Sequence, residues 1–209
     1  MKKERFGSSE VLPSEYVCLK GFREQDMAYE VSSIRIKDSI PIMKWRNKQI
    51  SALRQNKPLT EEDQLTYFKE TVRPQFSQEK PKQVLLRLTH EDRLIGYGGI
   101  VHINWEDARG EVSFLLEPER AKDQSLYQRE CKIFMKLLMK CAFITLNLNK
   151  LSTEAYSHRE FHIQALESSG FTREGVLREQ TRVSGEWTDA VVASCLKSEY
   201  IQLIRVGKE

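Results

Sequence analysis

The stretch that most constrains this chain is NKLSTEAYSHREFHIQALESSGF, from Asn149 to Phe171. Lys150 to Tyr156 alternates polar and apolar residues, the period of a strand. A polar break follows at Ser157–His158, and residues to Ser168 carry a helical pattern. Gly170 then ends that helix, and an aromatic restarts the chain as a strand. With three hairpin-connected strands ahead of it, a strand that feeds a helix closed by Gly-Phe, with a hairpin next, makes a mixed sheet of the α/β type.

The rest of the chain agrees. Residues 1–28 lack a clear period and are expected to be an extension, partly disordered or packed as an extra strand. Glu30–Ile36 reads as a first strand. Asp38 is a plausible N-cap for a helix ending near Asn47, and Thr60-Glu61-Glu62-Asp63 forms a capping box for a second helix that Pro74 should stop. Gln83–Thr89 and Leu94–Ile103 form a hairpin around a tight polar turn. The glycines at 96, 98 and 99 lie inside the second of these strands, where a bulge or a close backbone approach explains them better than a phosphate loop. Gly110–Leu116 is a fourth strand, and a long amphipathic helix is expected over Ser125–Leu146. After the opening unit, Phe171–Val183 and Glu186–Leu196 make a last hairpin around Ser184-Gly185. Residues 29–200 are therefore expected to form one domain, with 201–209 as a tail.

Composition narrows the function. A net charge of +3 spread over 209 residues is too small for a dedicated nucleic-acid binder. No apolar run is long enough to cross a bilayer, and the basic N-terminus lacks the apolar segment of a secretory signal, so a cytoplasmic protein without membrane association is expected. The four cysteines show no CxxC pairing and read as reduced, mostly buried thiols. His158 and His162 are one helical turn apart, but HREFH is not HExxH and no third ligand presents itself, so no metal is expected.

Four motifs in this order carry a family resemblance: Trp45-Arg46-Asn47, then Gly110-Glu111-Val112-Ser113-Phe114, then Ala142-Phe143 to Leu151, then Gly170-Phe171 through Gly185-Glu186-Trp187-Thr188-Asp189. From about Tyr29 to Tyr200 the chain resembles the GNAT superfamily of N-acetyltransferases, closest to the branch with ribosomal-protein and amino-sugar acetyltransferases. The resemblance implies a mostly antiparallel sheet flanked by helices and splayed between the fourth strand (Gly110–Leu116) and the fifth (Lys150–Tyr156). It also implies acetyl-CoA as co-substrate and a small primary amine as acceptor, with an amino sugar or its nucleotide-linked form as the leading example. A protein N-terminus is the alternative acceptor, and a catalytically silent binding module of the same fold is the alternative function. A homodimer is compatible with either.

The resemblance also assigns roles. The acetyl-CoA pyrophosphate would lie where the fourth strand meets the long helix, on Leu115, Leu116, Glu117, Arg120, Lys122, Ser125, Leu126 and Tyr127. This stretch has no glycine, unlike the family's loop, so Arg120 and Lys122 are expected to supply charge and the first helix amides to supply donors. The family often has an Asn early in the strand–helix turn and a proton-donating Tyr before Gly-Phe; those positions hold Arg159 and Leu166. Leu166 cannot donate a proton, which leaves Tyr156, His158 and His162 as nearby substitutes, and Tyr156 is the candidate. Glu111 is the candidate base, needed because an ammonium near pKa 10 is about a thousandfold depleted in its nucleophilic form at pH 7. Trp45, Arg46 and Asn47 would build the acceptor wall.

Overall fold

The computed structural model describes residues 13–55, 57–183 and 185–206. The strands are β1 (Arg23–Asp26), β2 (Tyr29–Ser33), β3 (Val84–His90), β4 (Arg93–Asn104), β5 (Arg109–Leu116), β6 (Lys150–Tyr156), β7 (Thr172–Val183) and β8 (Glu186–Leu196). The helices are α1 (Ser39–Lys48), α2 (Glu61–Tyr67), α3 (Arg73–Gln75), α4 (Pro118–Ala121), α5 (Gln124–Lys140), α6 (Glu160–Glu167) and α7 (Lys197–Val206). All eight strands form one sheet in the order β1-β2-β3-β4-β5-β6-β8-β7, and only β5 and β6 run parallel. The mixed, mostly antiparallel sheet expected from the sequence is therefore present.

Both ends of the expected domain carry regular structure, the N-terminal one as the extra strand that was one of its two expected forms. Of the expected extension, residues 1–12 lie outside the described residues, whereas the rest packs against the domain. Tyr16 is fully buried, stacks on Phe76, and accepts a hydrogen bond from the Leu85 amide; Arg23–Asp26 adds the edge strand β1. At the other end, residues 201–206 continue α7 rather than trailing off; Tyr200, in its first turn, packs on Phe143.

Local sequence explains most of the elements. Thr60 and Asp63 close the capping box of α2 reciprocally, each side chain bonding the other residue's amide. Pro74 does not stop the chain's helical course. A π turn over Phe68–Val72 resets the hydrogen-bond ladder, and α3 takes Pro74 in its first turn, where the missing N–H costs little. Asp38 does not cap α1 with its side chain; it accepts from the Arg35 amide and pairs with buried Arg87. Pro118, expected only to end a strand, opens the short helix α4.

The glycines of β4 mark a close backbone approach. A Cβ on Gly98 would lie 2.1 Å from the Ser113 carbonyl oxygen and 2.9 Å from the Phe134 ring. Phe134 of α5 instead stacks on Phe114 of β5 at 4.8 Å, locking the long helix to the centre of the sheet. Three of the four free cysteines are buried, Cys131 and Cys141 both within this helical layer.

A buried charge pair ties the segment after β5 to α5. Glu130 is fully buried, accepts a hydrogen bond from Tyr29, and is held by the Arg120 guanidinium. Helix α6 docks on α5 through His162, whose Nδ1 lies 2.8 Å from the Tyr127 hydroxyl. Desolvation, and then the Arg159 charge, hold the His162 imidazole well below its usual pKa, so it is neutral in the fold.

Two outcomes follow for stability. Gly98→Ala should cost about 3 kcal/mol or block folding, read as a lowered midpoint in urea unfolding. The unfolded chain protonates His162 near pH 6.5 while the folded chain does not. Its contribution is thus complete above that pH and is lost as pH falls below it. His162→Gln should flatten the stability profile between about pH 5 and 7 relative to the parent.

Candidate active site

β5 and β6 share only three register pairs, Arg109–Lys150, Gly110–Leu151 and Glu111–Ser152, and then part. Their remaining residues line an opening. Backbone alternation decides which groups face it. The Glu117 amide donates to Ile95 on β4, so Leu116, Phe114 and Val112 turn their N–H and C=O groups the other way, into the opening. The Leu116 carbonyl accepts from Gln49 Nε2 at 2.9 Å. Leu115 and Glu117, expected to offer amides to the cofactor, therefore face β4 instead; a pleated strand can present only every second residue.

The two faces of the sheet divide the side chains. Phe114 faces α5, so Glu111 and Ser113 point to the opposite face. The pairing of Glu111 with Ser152 puts Glu154 and Tyr156 on that face too. There, Arg54 Nη2 lies 3.1 Å from Glu111 Oε1 and 3.1 Å from Glu154 Oε2, bridging the mouth of the opening. Arg54 belongs to the segment after α1, pinned by Gln49 on Leu116 and by a 3.3 Å hydrogen bond from Arg159 to the Ala52 carbonyl. Beside it runs a cleft of 810 Å³ lined by Ser51, Arg54, Gln55, Tyr156, Thr181 and Arg182, among others.

The expected acceptor wall is arranged differently. Trp45 packs against the core, and Asn47 bonds both backbone groups of Leu59 to hold the loop before α2. Neither lines the cleft, because their positions on α1 face the core and the α1–α2 loop. Arg46 bonds Tyr97 Oη at 2.9 Å and Gln55 at 3.0 Å, and lines a separate 330 Å³ pocket that includes Ser113 and Tyr97.

At the other end of the opening, the site for an anion is built without glycine. Asp123 caps α5, its carboxylate accepting from the Leu126 amide. The Gln124 and Ser125 amides head the helix, where no intrahelical acceptor exists. Arg120 does not face this site: Glu130 draws its guanidinium beneath α4, a correction that the burial of Glu130 explains. Leu126 gives its amide to Asp123, and the buried Tyr127 ring fills space against His162 and Phe114. Lys122, Gln124 and Arg159 remain on a 270 Å³ pocket with Gln49, Tyr127 and His162. Lys122 is exposed and, among the described residues, pairs only with exposed Glu119. These residues fit acetyl-CoA in part. The unpaired strand edge suits its amide-bearing arm, and Lys122, Arg159 and two helix amides suit its phosphates, while the Asp123 carboxylate opposes them.

The proton-donor candidates also sort themselves. Leu166 is buried in the core. His162 is neutral and committed to Tyr127, and His158 lies against the Tyr156 ring at 5.8 Å between centroids. Tyr156 alone of the three lines the cleft. Sequence reasoning missed Arg54 and Glu154. Glu154 shares strand parity with Tyr156, a signal that was available; Arg54 sits in a loop without period and carried none.

Residues 31–192 match the acetyltransferase (GNAT) domain family. An uncharacterized N-acetyltransferase, p20, of Bacillus licheniformis is 23% identical over 156 residues, covering 75% of this chain and 85% of that protein. The spermidine N-acetyltransferase of Vibrio cholerae, determined in complex with CoA and spermine, superposes with a TM-score of 0.75 at 16% identity, over 84% of this chain and 99% of that one. A chimera of that enzyme gives 0.71 at 17% identity, over 83% and 98%. At such identities the structural likeness establishes the fold, and the domain match, which spans most of the chain, establishes the family. The chain belongs to the GNAT family and is an acetyl-CoA-dependent N-acetyltransferase.

Proposed function

We propose that the chain acetylates the primary amine of a small molecule whose ammonium group is received at Glu111 and Glu154. The observation that supports this is the placement of those two carboxylates, from adjacent strands, at the mouth of the opening beside the 810 Å³ cleft. Acetyl-CoA supplies the activated acetyl group. The protein's part is to hold the donor along the free edge of β5, where the Phe114 and Leu116 amides are available to polarise a carbonyl. Glu111 takes a proton from the ammonium, directly or through water, so that the amine becomes nucleophilic. As the amine–acetyl bond forms and the C–S bond breaks, Tyr156, on the β6 side of the opening, gives a proton to the departing CoA thiolate.

The acceptor reading supported by the cleft is an amino sugar, free or nucleotide-linked. Ser51, Tyr156 and Thr181 offer hydroxyl partners, and Arg182 offers a cation for an anionic substituent. A second reading, an aliphatic polyamine, is favoured by the paired carboxylates and by the likeness to spermidine N-acetyltransferases. A cytoplasmic setting accords with the free cysteines.

Release of free thiol from acetyl-CoA, followed with glucosamine, spermidine and a peptide bearing a free N-terminus, separates these acceptors. At a hundredfold excess over Kd, acetyl-CoA should stabilise the protein by about 2.7 kcal/mol. No thiol release with any amine, together with no thermal shift at millimolar acetyl-CoA, would overturn the enzymatic reading of this site. Glu111→Gln should lower turnover and move the pH optimum upward, with an unchanged profile removing Glu111 as base. At the anion end, Arg159→Ala should raise the KM for acetyl-CoA about tenfold. Asp123→Ser keeps a cap but removes its charge, and should lower that KM several-fold.

A further inference from the structure

Arg54 has no role in the proposed transfer, yet its guanidinium occupies the place that the proposal gives to the acceptor. Three observations bear on why. Its Nη2 makes 3.1 Å contacts to both Glu111 and Glu154, which no other cation reaches among the described residues. Its side chain is 49% exposed, whereas the carboxylates are 25% and 19% exposed, so the cation is the outer partner. The cleft that Arg54 itself lines adjoins the pair and offers the side chain room to withdraw. An ion pair in such a half-exposed place contributes little to stability. The fold does not depend on the bridge, and another cation can replace it.

We propose that Arg54 is an internal competitor for the acceptor's ammonium group. In the free enzyme its guanidinium neutralises Glu111 and Glu154 together. When an amine enters, the guanidinium swings into the cleft and the ammonium takes its place, which frees Glu111 to act as a base. The device sets specificity as well as occupancy. A neutral or anionic molecule cannot displace Arg54, whereas a cation competes on equal terms. Glu154 thereby becomes a specificity-determining residue that holds the ammonium while Glu111 handles its proton. This inference rests on the reading of the two carboxylates as the acceptor's seat.

Methylguanidinium chloride is a probe that needs no knowledge of the acceptor. Calorimetric titration into Arg54→Gln should show binding at least tenfold tighter than into the parent protein, and Arg54→Gln/Glu154→Gln should lose that binding. Arg54→Lys, which restores a cation, should again bind the probe weakly. With whichever amine of the panel is turned over, Arg54→Gln should lower the amine's KM without changing that for acetyl-CoA. Equal probe binding by the parent and Arg54→Gln, with both variants folded by circular dichroism, overturns the competitor role. The seat itself is tested separately: if Glu111→Gln and Glu154→Gln leave the amine's KM unchanged, the carboxylates are not the acceptor's seat and the proposed site is wrong. If those variants raise the KM but Arg54→Gln does not lower it, the seat stands and only the competitor role fails.

Discussion

The parting of β5 from β6 is the constraint on which the site depends. A parallel pair that stops after three register positions leaves backbone donors and acceptors facing empty space, which a protein interior does not tolerate. The fold answers in two ways. Gln49 reaches from the end of α1 to satisfy the Leu116 carbonyl, and the opening itself remains accessible to a ligand that carries amides of its own. Helices α5 and α6 hold the gap apart from one side, through Phe134 on Phe114 and His162 on Tyr127. The segment after α1 spans it from the other.

Charge is distributed unevenly along that gap. At the acceptor end, two carboxylates share one guanidinium near the surface. Where α5 begins, Arg120 is drawn into a pair with the fully buried Glu130, and an aspartate sits on the helix terminus. Pairing with Glu130 turns Arg120 away from the proposed phosphate site but fixes α4 against α5, since a buried carboxylate without its partner is costly. On the proposed function, phosphate recognition falls to Lys122, Arg159 and helix amides. The family's usual flexible glycine loop is replaced by a short helix, so the donor end is shaped in advance at the expense of close backbone approach.

Much of this was legible in the sequence. The bounds of β6 and β8, the capping box of α2 and the close approach at Gly98 follow from period, cap chemistry and glycine placement. The opening between two strands was legible only through family resemblance, because nothing in Gly110–Leu116 or Lys150–Tyr156 records where pairing ends. Individual roles were less accessible. Leu115 against Leu116 is a question of strand parity relative to β4, which needs the register. Arg120 against Lys122 depends on Glu130, eight or ten residues away and buried only in three dimensions. Arg54 and Glu154 lie a hundred residues apart and meet across the mouth, a juxtaposition that neither segment encodes alone. Residues 13–28 show no clear period, yet Tyr16 is buried against an aromatic ring; residues 201–206, expected as a tail, continue the helix that Tyr200 anchors on Phe143.

The tether of the segment after α1 bears on how the two ends of the opening are coupled. Gln49 fastens it to the end of β5 and Arg159 fastens it at Ala52, while Arg54, two residues farther on, closes the opposite end of the opening. On the proposed function, this single short span touches the positions of both substrates. A displacement that one substrate imposes on it would reach the other, and linkage requires such an effect to be mutual in binding. The coupling between the two reactants then runs through six residues, Gln49 to Arg54, rather than through either half of the sheet.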